Sequence, residues 1–262
     1  MLIDSTAHLP IGLAILDGVF HPPSGADLAH IIVRWLHFVA GITWIGMLYF
    51  FNLVNVPLQK KLDPDTKKKV NPDLLLPALW FFRWGAVVTV LAGLTYYAMY
   101  ILGADVNNAN NAGAHLNVWV LLIEWLTYPI VLFLIEFLII KKVPALIKDG
   151  RVYAVVMLIL LAVVTFGLMK FFPAMMGGNA SNKTMSIGVG GAYGVLMLLN
   201  VWGIIWPANK RIIGALQGGP PADPALARQA FIASRTNAWL SLPMLLFMGT
   251  SSHDWLIFSG GK

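Results

Sequence analysis

A chain of 262 residues that is 58% hydrophobic and 11% charged departs from soluble composition, in which roughly 25% of residues are charged. It has no cysteine, which excludes disulfides, thiolate metal sites, iron–sulfur clusters and thioether-attached haem, and leaves any metal to histidine, methionine, carboxylate or backbone groups. Its net charge of +6 lies mainly in short segments between apolar runs, so it speaks of membrane topology rather than of nucleic acid.

In chain order, residues 1–26 form an N-terminal segment whose "LPIGLAILDGVF" is too short to cross ~30 Å of hydrocarbon. It is expected to lie outside the bilayer or in its interface. The start "MLIDSTAHLP" lacks a basic region, so no cleavable signal peptide is expected. Residues 27–262 carry six apolar runs long enough to span a membrane. They cover about Asp27–Val54, Ala78–Leu102, Leu116–Ile140, Val152–Phe172, Met185–Trp206 and Ala225–Ser252. The last has a polar first part that is expected to project from the bilayer. The fold class is therefore all-α, a polytopic membrane bundle of about six helices.

The connecting segments set an orientation. "LQKKLDPDTKKK" holds five lysines, "KKVPALIKDGR" four basic residues and "NKRIIGALQGGPPADPALAR" three, whereas "GADVNNANNAGAH" and "FPAMMGGNASNK" hold one lysine between them. The bias alternates at every turn. By the positive-inside rule, the first, third and fifth helices end in the cytoplasm and both termini face outward.

Ionisable side chains within membrane helices are costly and mark sites. In "RWLHFVAGITWIG", His30, His37, Gly41 and Trp44 share one helical stripe, with Arg34 on a nearby face. An imidazole one turn from a glycine suits a flat macrocycle lying against a helix, with the imidazole on iron and Arg34 on a propionate or a carboxylate. The alternative is a histidine that hydrogen-bonds across helices, with Gly41 as a packing residue. His253, at the outer end of the sixth run, is the natural second iron ligand. His30 and His115 lie on the same outward side and are alternatives, or holders of a second haem b.

Glu124 and Glu136 are twelve residues apart, on different faces of the third helix. Glu124, nearer the middle, is the candidate for a proton path, or a neutral hydrogen-bonded carboxyl. Arg83 and Arg235 read as side chains reaching for the cytoplasmic boundary. "GVGGAYG" is not a nucleotide loop, because Tyr193 stands in the last glycine position. Its Gly190 and Gly194 suit close helix packing or room for a cofactor.

"RWLHFVAGITWIGMLYFFNLVNVPL" resembles the first helix of the bacterial urate hydroxylase membrane-domain family, also called the urate oxidase N-terminal domain family. "ALWFFRWGA" and the long closing segment ending "MGTSSH" are similar to that family's second helix and last region. The resemblance implies a multi-helix domain of the bacterial inner membrane, usually followed by a cytochrome c domain, that oxidises urate to 5-hydroxyisourate and carries b-type haem. His30, His37 and His253 match family histidines. The family tends to carry histidines at the positions of Gly188 and Thr236, and an acidic residue at that of Gly85. No cytochrome c domain follows by Lys262.

These readings lead to an expected haem b electron-transfer subunit, with one or two haems, working with a periplasmic cytochrome c or the redox subunit of a larger complex. A membrane urate hydroxylase that passes electrons to a separate cytochrome is the second expectation. A structural subunit that has lost its redox site is the third.

Overall fold

The computed structural model describes residues 23–252 and 257–258. The expected interfacial segment before residue 23, and His253, lie outside the described residues. Six long helices follow one another: α1 (Gly25–Lys61), α2 (Pro64–Asn111), α3 (Val118–Lys142), α4 (Gly150–Asn179), α5 (Asn182–Leu216) and α6 (Ala225–Thr250). No strand occurs among the described residues. The first five are long and apolar enough to cross a membrane. The sixth is 26 residues long, but its first half, "ALARQAFIASRTN", is too polar to meet the same criterion, as its composition suggested.

The surface pattern is that of a bundle in lipid. Ile42, Ile123, Leu158, Val163 and Phe166 are each more than 60% exposed, whereas a soluble monomer rarely shows so much contiguous apolar surface. Lipid is as apolar as these side chains, so packing and hydrogen bonds hold such helices together rather than hydrophobic burial. α5 provides the close approach. A Cβ on Gly190 would stand 3.1 Å from the Met244 carbonyl oxygen and 3.1 Å from Phe247 Cβ of α6. A side chain there would press on the α6 backbone, so glycine suits this close approach.

The helices begin where local chemistry starts them. Ser24 caps α1 in a reciprocal box: its hydroxyl accepts from the Asp27 amide at 3.2 Å, and Asp27 Oδ2 accepts from the Ser24 amide at 3.3 Å. Asp63 caps α2 through the Thr66 amide at 2.9 Å, with Pro64 at the first helical position. α2 therefore starts well before the Ala78 expected from sequence and runs on through Pro72 and Pro77. Each interior proline removes one backbone donor, and a long helix absorbs that.

Three stretches widen to π geometry: Phe50–Asn55, Tyr97–Leu102 and Val201–Ile205. Pro57 and Pro207 lie two residues beyond the first and third. A proline ring collides with the carbonyl four residues back, here Leu53 and Gly203, and a wider turn relieves the clash. At the second, Gly103 approaches the Ala98 oxygen so closely that a Cβ would lie 2.9 Å from it. These wide turns carry α1, α2 and α5 past the ends expected at Val54, Leu102 and Trp206.

Candidate functional site: a histidine-lined cavity

A cavity of about 1020 Å³ opens among α1, α2, α3, α5 and α6. His30, Arg34, His37, Gly41 and Trp44 all line it, so the stripe read from the first helix faces one space. α2 faces them with Thr89, Gly93 and its tyrosines, α5 with Lys183, Gly191 and Gly194, and α6 with Met244 and Met248. Of the paired glycines in α5, Gly190 packs against α6 while Gly194 borders the cavity, with nothing within 4 Å of a Cβ placed on it.

His37 is held in one orientation. Its Nδ1 lies 2.8 Å from the Thr89 carbonyl oxygen. A carbonyl only accepts, so Nδ1 carries the proton and donates. Nε2 then keeps its lone pair, and it has no hydrogen-bond partner among the described residues. Gly93 makes room for the ring: a Cβ there would fall 2.8 Å from His37 Cε1 and Nδ1. Thr89 is held in turn by its hydroxyl, which donates to the Gly85 carbonyl at 2.7 Å.

His30 is fixed differently. Its Nε2 is 2.8 Å from the Tyr96 hydroxyl, and its ring stacks on Tyr100 with centroids 4.2 Å apart and planes 11° apart. Its Nε2 is thus engaged by a phenol, unlike that of His37. Arg34 is exposed and borders the cavity, as does Lys183 at the start of α5. Trp44 is 1% exposed, and its indole Nε1 is buried with no hydrogen-bond partner.

His115 is exposed between α2 and α3 and does not line the cavity. The described residues leading to His253, Ser251 and Ser252, do line it. Glu124 is partly buried and also lies outside the lining. At Gly188 the space a larger side chain would need is filled by the Phe172 ring, and Tyr97 Oη would be 3.2 Å from a Cβ. At Gly85 a Cβ would meet the α1 backbone around Ala40 and Trp44 at 3.4 Å. Arg83 does not reach for water alone: its guanidinium lies 3.8 Å from the Trp206 ring centroid, and its Nε is buried and unpartnered.

Sequence reasoning passed over the residues that place His37. Thr89 and Gly93 lie four apart on α2 and so share one face. That spacing was visible, but nothing in the sequence said which helix would face α1.

The chemistry of the donor set fits a haem. There is one imidazole whose Nε2 has no hydrogen-bond partner among the described residues, a cavity of about 1020 Å³ with open space at Gly194, and two cationic side chains at its edge. Among the described residues, no group of three or more histidine, cysteine or carboxylate side chains is placed to hold a metal ion, so a bare metal centre built wholly by the protein finds no ligand set there.

Fold and cavity together define a polytopic α-helical membrane protein with a histidine-lined interior space. The chain belongs to the urate oxidase N-terminal family, whose description matches residues 24–71 and 62–261. No curated protein and no solved structure matches it.

Proposed function

We propose that this protein is a haem b-bearing electron-transfer subunit of the bacterial inner membrane. The observation that carries the reading is His37, whose Nδ1–H is tied to Thr89 while Nε2 is left for a ligand at the wall of a cavity of about 1020 Å³. Metal-bound histidines almost always donate their second nitrogen in this way, which fixes the tautomer and raises ligand basicity. A bound haem b supplies one-electron redox chemistry.

The chain's own residues then have distinct tasks. His37 would hold the iron through Nε2, and Thr89 with Gly93 keeps the ring from turning. Gly194 would leave room for a flat group against α5, since a Cβ there meets nothing within 4 Å, whereas Gly41 and Gly191 let Thr89 and the Trp125 ring come close to their helices. Arg34 and Lys183 would supply positive charge for propionates. His253 would be the second histidine to hold the haem; of the residues leading to it, Ser251 and Ser252 are at the cavity wall. His30 serves the edge of the site through Tyr96 and Tyr100, and His115 has no part in it.

The alternation of basic segments supports an orientation with the cavity's His30 and Lys183 end toward the periplasm and both termini outward. A periplasmic cytochrome c, or a redox subunit of a larger complex, is the partner proposed on that side. The test is a reduced-minus-oxidised spectrum of purified protein. A b-type α band that disappears in H37A is expected, and a colourless wild-type protein purified from haem-replete cells would overturn the reading.

Family membership favours a second reading, a urate hydroxylase that passes electrons to a separate cytochrome. It predicts that urate reduces the bound haem without added mediators. Urate that leaves the oxidised spectrum unchanged counts against it and leaves the first reading intact.

A further inference from the structure

A second buried polar centre lies beyond the cavity. On α5, Gly194 and Val195 line the cavity, and Asn200 follows about one and a half turns later, ~8 Å along the axis. There Glu136 of α3 is 0% exposed. Tyr153 of α4 donates its hydroxyl to Glu136 Oε1 at 2.6 Å. Asn200 Nδ2 donates to Glu136 Oε2 at 2.9 Å and to Asn237 Oδ1 of α6 at 3.0 Å. Asn237 Nδ2 donates to the Met197 carbonyl at 2.9 Å.

That last bond sets the sense of the chain. The Met197 carbonyl can only accept, so Asn237 turns its nitrogen there and its oxygen to Asn200. Asn200 must then spend both amide hydrogens, one on Asn237 and one on Glu136. Its own Oδ1 is left buried and without a partner, in a residue 0% exposed. The Asn200 side of Glu136 is therefore a fixed donor.

The Tyr153 side is not fixed. A phenol both donates and accepts. Thr236 Oγ1 lies 3.4 Å from the Tyr153 hydroxyl and gives its own proton to the Ile232 carbonyl at 3.0 Å. Tyr153 can donate to an ionised Glu136. It can equally accept from a protonated one while turning its own hydrogen toward Thr236 Oγ1. The site thus accommodates both charge states with one hydroxyl rotation.

Among the described residues, no cation neutralises the carboxylate. Tyr153 is the one titratable group that meets it from α4. α5 and α6 present the neutral Asn200, Asn237 and Thr236. On α3 itself Lys141 is turned to Gln229 Oε1 at 2.7 Å. Arg235 of α6 lies over the Phe231 ring at 5.3 Å, and Arg83 of α2 over Trp206. A membrane-embedded carboxyl without a fixed counter-ion is a site for a mobile one.

We propose that Glu136 binds and releases one proton within the bundle, with Tyr153 reversing its hydrogen bond as the proton comes and goes. The proton joins a carboxylate oxygen on binding and leaves to water on release, and no other bond changes. Glu136 stands six residues before Lys142, ~9 Å along α3, so exchange is with water at the basic end of the bundle. The proposal is independent of the haem.

The experiment is infrared difference spectroscopy of the full chain in detergent, stepped through pH. A buried carboxylic-acid C=O band that appears and vanishes with pH is expected. It should be absent in Glu136→Gln and shifted in frequency in Tyr153→Phe, which removes the reversing hydroxyl. If Glu136→Gln does not fold, the wild-type and Tyr153→Phe spectra decide alone. A wild-type protein with no such band, or a band that Tyr153→Phe and Glu136→Gln leave in place, overturns the proposal. So does a band that follows sodium replaced by choline at constant pH, because the site then holds a metal ion.

Discussion

The two polar centres of the bundle are built on opposite plans. The cavity has glycines in its walls, exposed cations at its edge and an imidazole with a lone pair to spare. The Glu136 centre is filled: four helices each bring a side chain that touches the next, and every member is buried or nearly so. The first plan suits a large guest that arrives after folding. The second suits a very small one that enters without displacing side chains. A membrane bundle can therefore hold polar groups either by leaving space for a ligand or by closing the groups on one another.

The largest effect is expected at His37. H37A is expected to abolish haem absorbance entirely while the helical circular dichroism is kept, and E136Q is expected to leave the haem band in place. If both variants lose haem, the two centres are one unit and the contrast fails.

Stability should be most sensitive on the filled side. Tyr153→Phe leaves a buried carboxyl oxygen without a donor, a loss of about 1–3 kcal/mol. For a chain of this size that lowers the midpoint of thermal unfolding by ~2–4 °C per kcal/mol. An unchanged melting curve would mean that the hydroxyl contributes nothing. Gly190→Val should cost about 1–3 kcal/mol by forcing α6 off α5, read from the same measurement.

A smaller, more local effect is expected at the cavity wall. Gly93→Ala puts a methyl where the His37 ring now lies, so the ring must tilt. Haem should still bind, with a shifted reduction potential or a weaker band and little change in stability. A variant identical to wild type in both would show that Gly93 does not position the imidazole.

The smallest effect lies at the water-exposed start of α2. Hydrogen bonds from the Thr66 hydroxyl and amide hold the Asp63 carboxyl below its ordinary range. Its contribution to the cap is therefore complete above the unfolded-state value and is lost as pH falls through the lowered folded value. Hydrogen exchange at the Thr66 amide should speed up on acidification beyond the intrinsic trend, and D63N should remove that extra dependence.

Much of the fold was legible because lipid makes helices obvious. Runs of apolar residues gave all six helices, and the start of α6 at Ala225 fell where it was expected. The ends were less legible. The expected limits at Val54, Ala78 and Trp206 fell near Pro57, Pro77 and Pro207, and wide turns and a strong cap at Asp63 carry the helices through or past these prolines. At the site, the His30–His37–Gly41–Trp44 stripe was legible from its spacing alone. Glu136 was not. Periodicity put it on a different face from Glu124 without saying which face was inward, and its burial depends on Tyr153, Asn200 and Asn237 from three other helices. His115 looked like its fellow histidines in sequence, but a loop carries it away from the cavity.

A helix has a phase as well as a length, and the widened stretch at Val201–Ile205 sets one. Each π turn accommodates about one extra residue, and one residue is worth ~100° of rotation. That offset lets Asn200 point to Glu136 while Ala208 and Ile213, further along, still face the protein interior. Losing a single residue from this stretch would leave every downstream side chain of α5 intact in kind but turned by more than a quarter circle, toward the wrong neighbours. The wide turn works as a gear tooth that keeps the two halves of the central helix meshed with different partners.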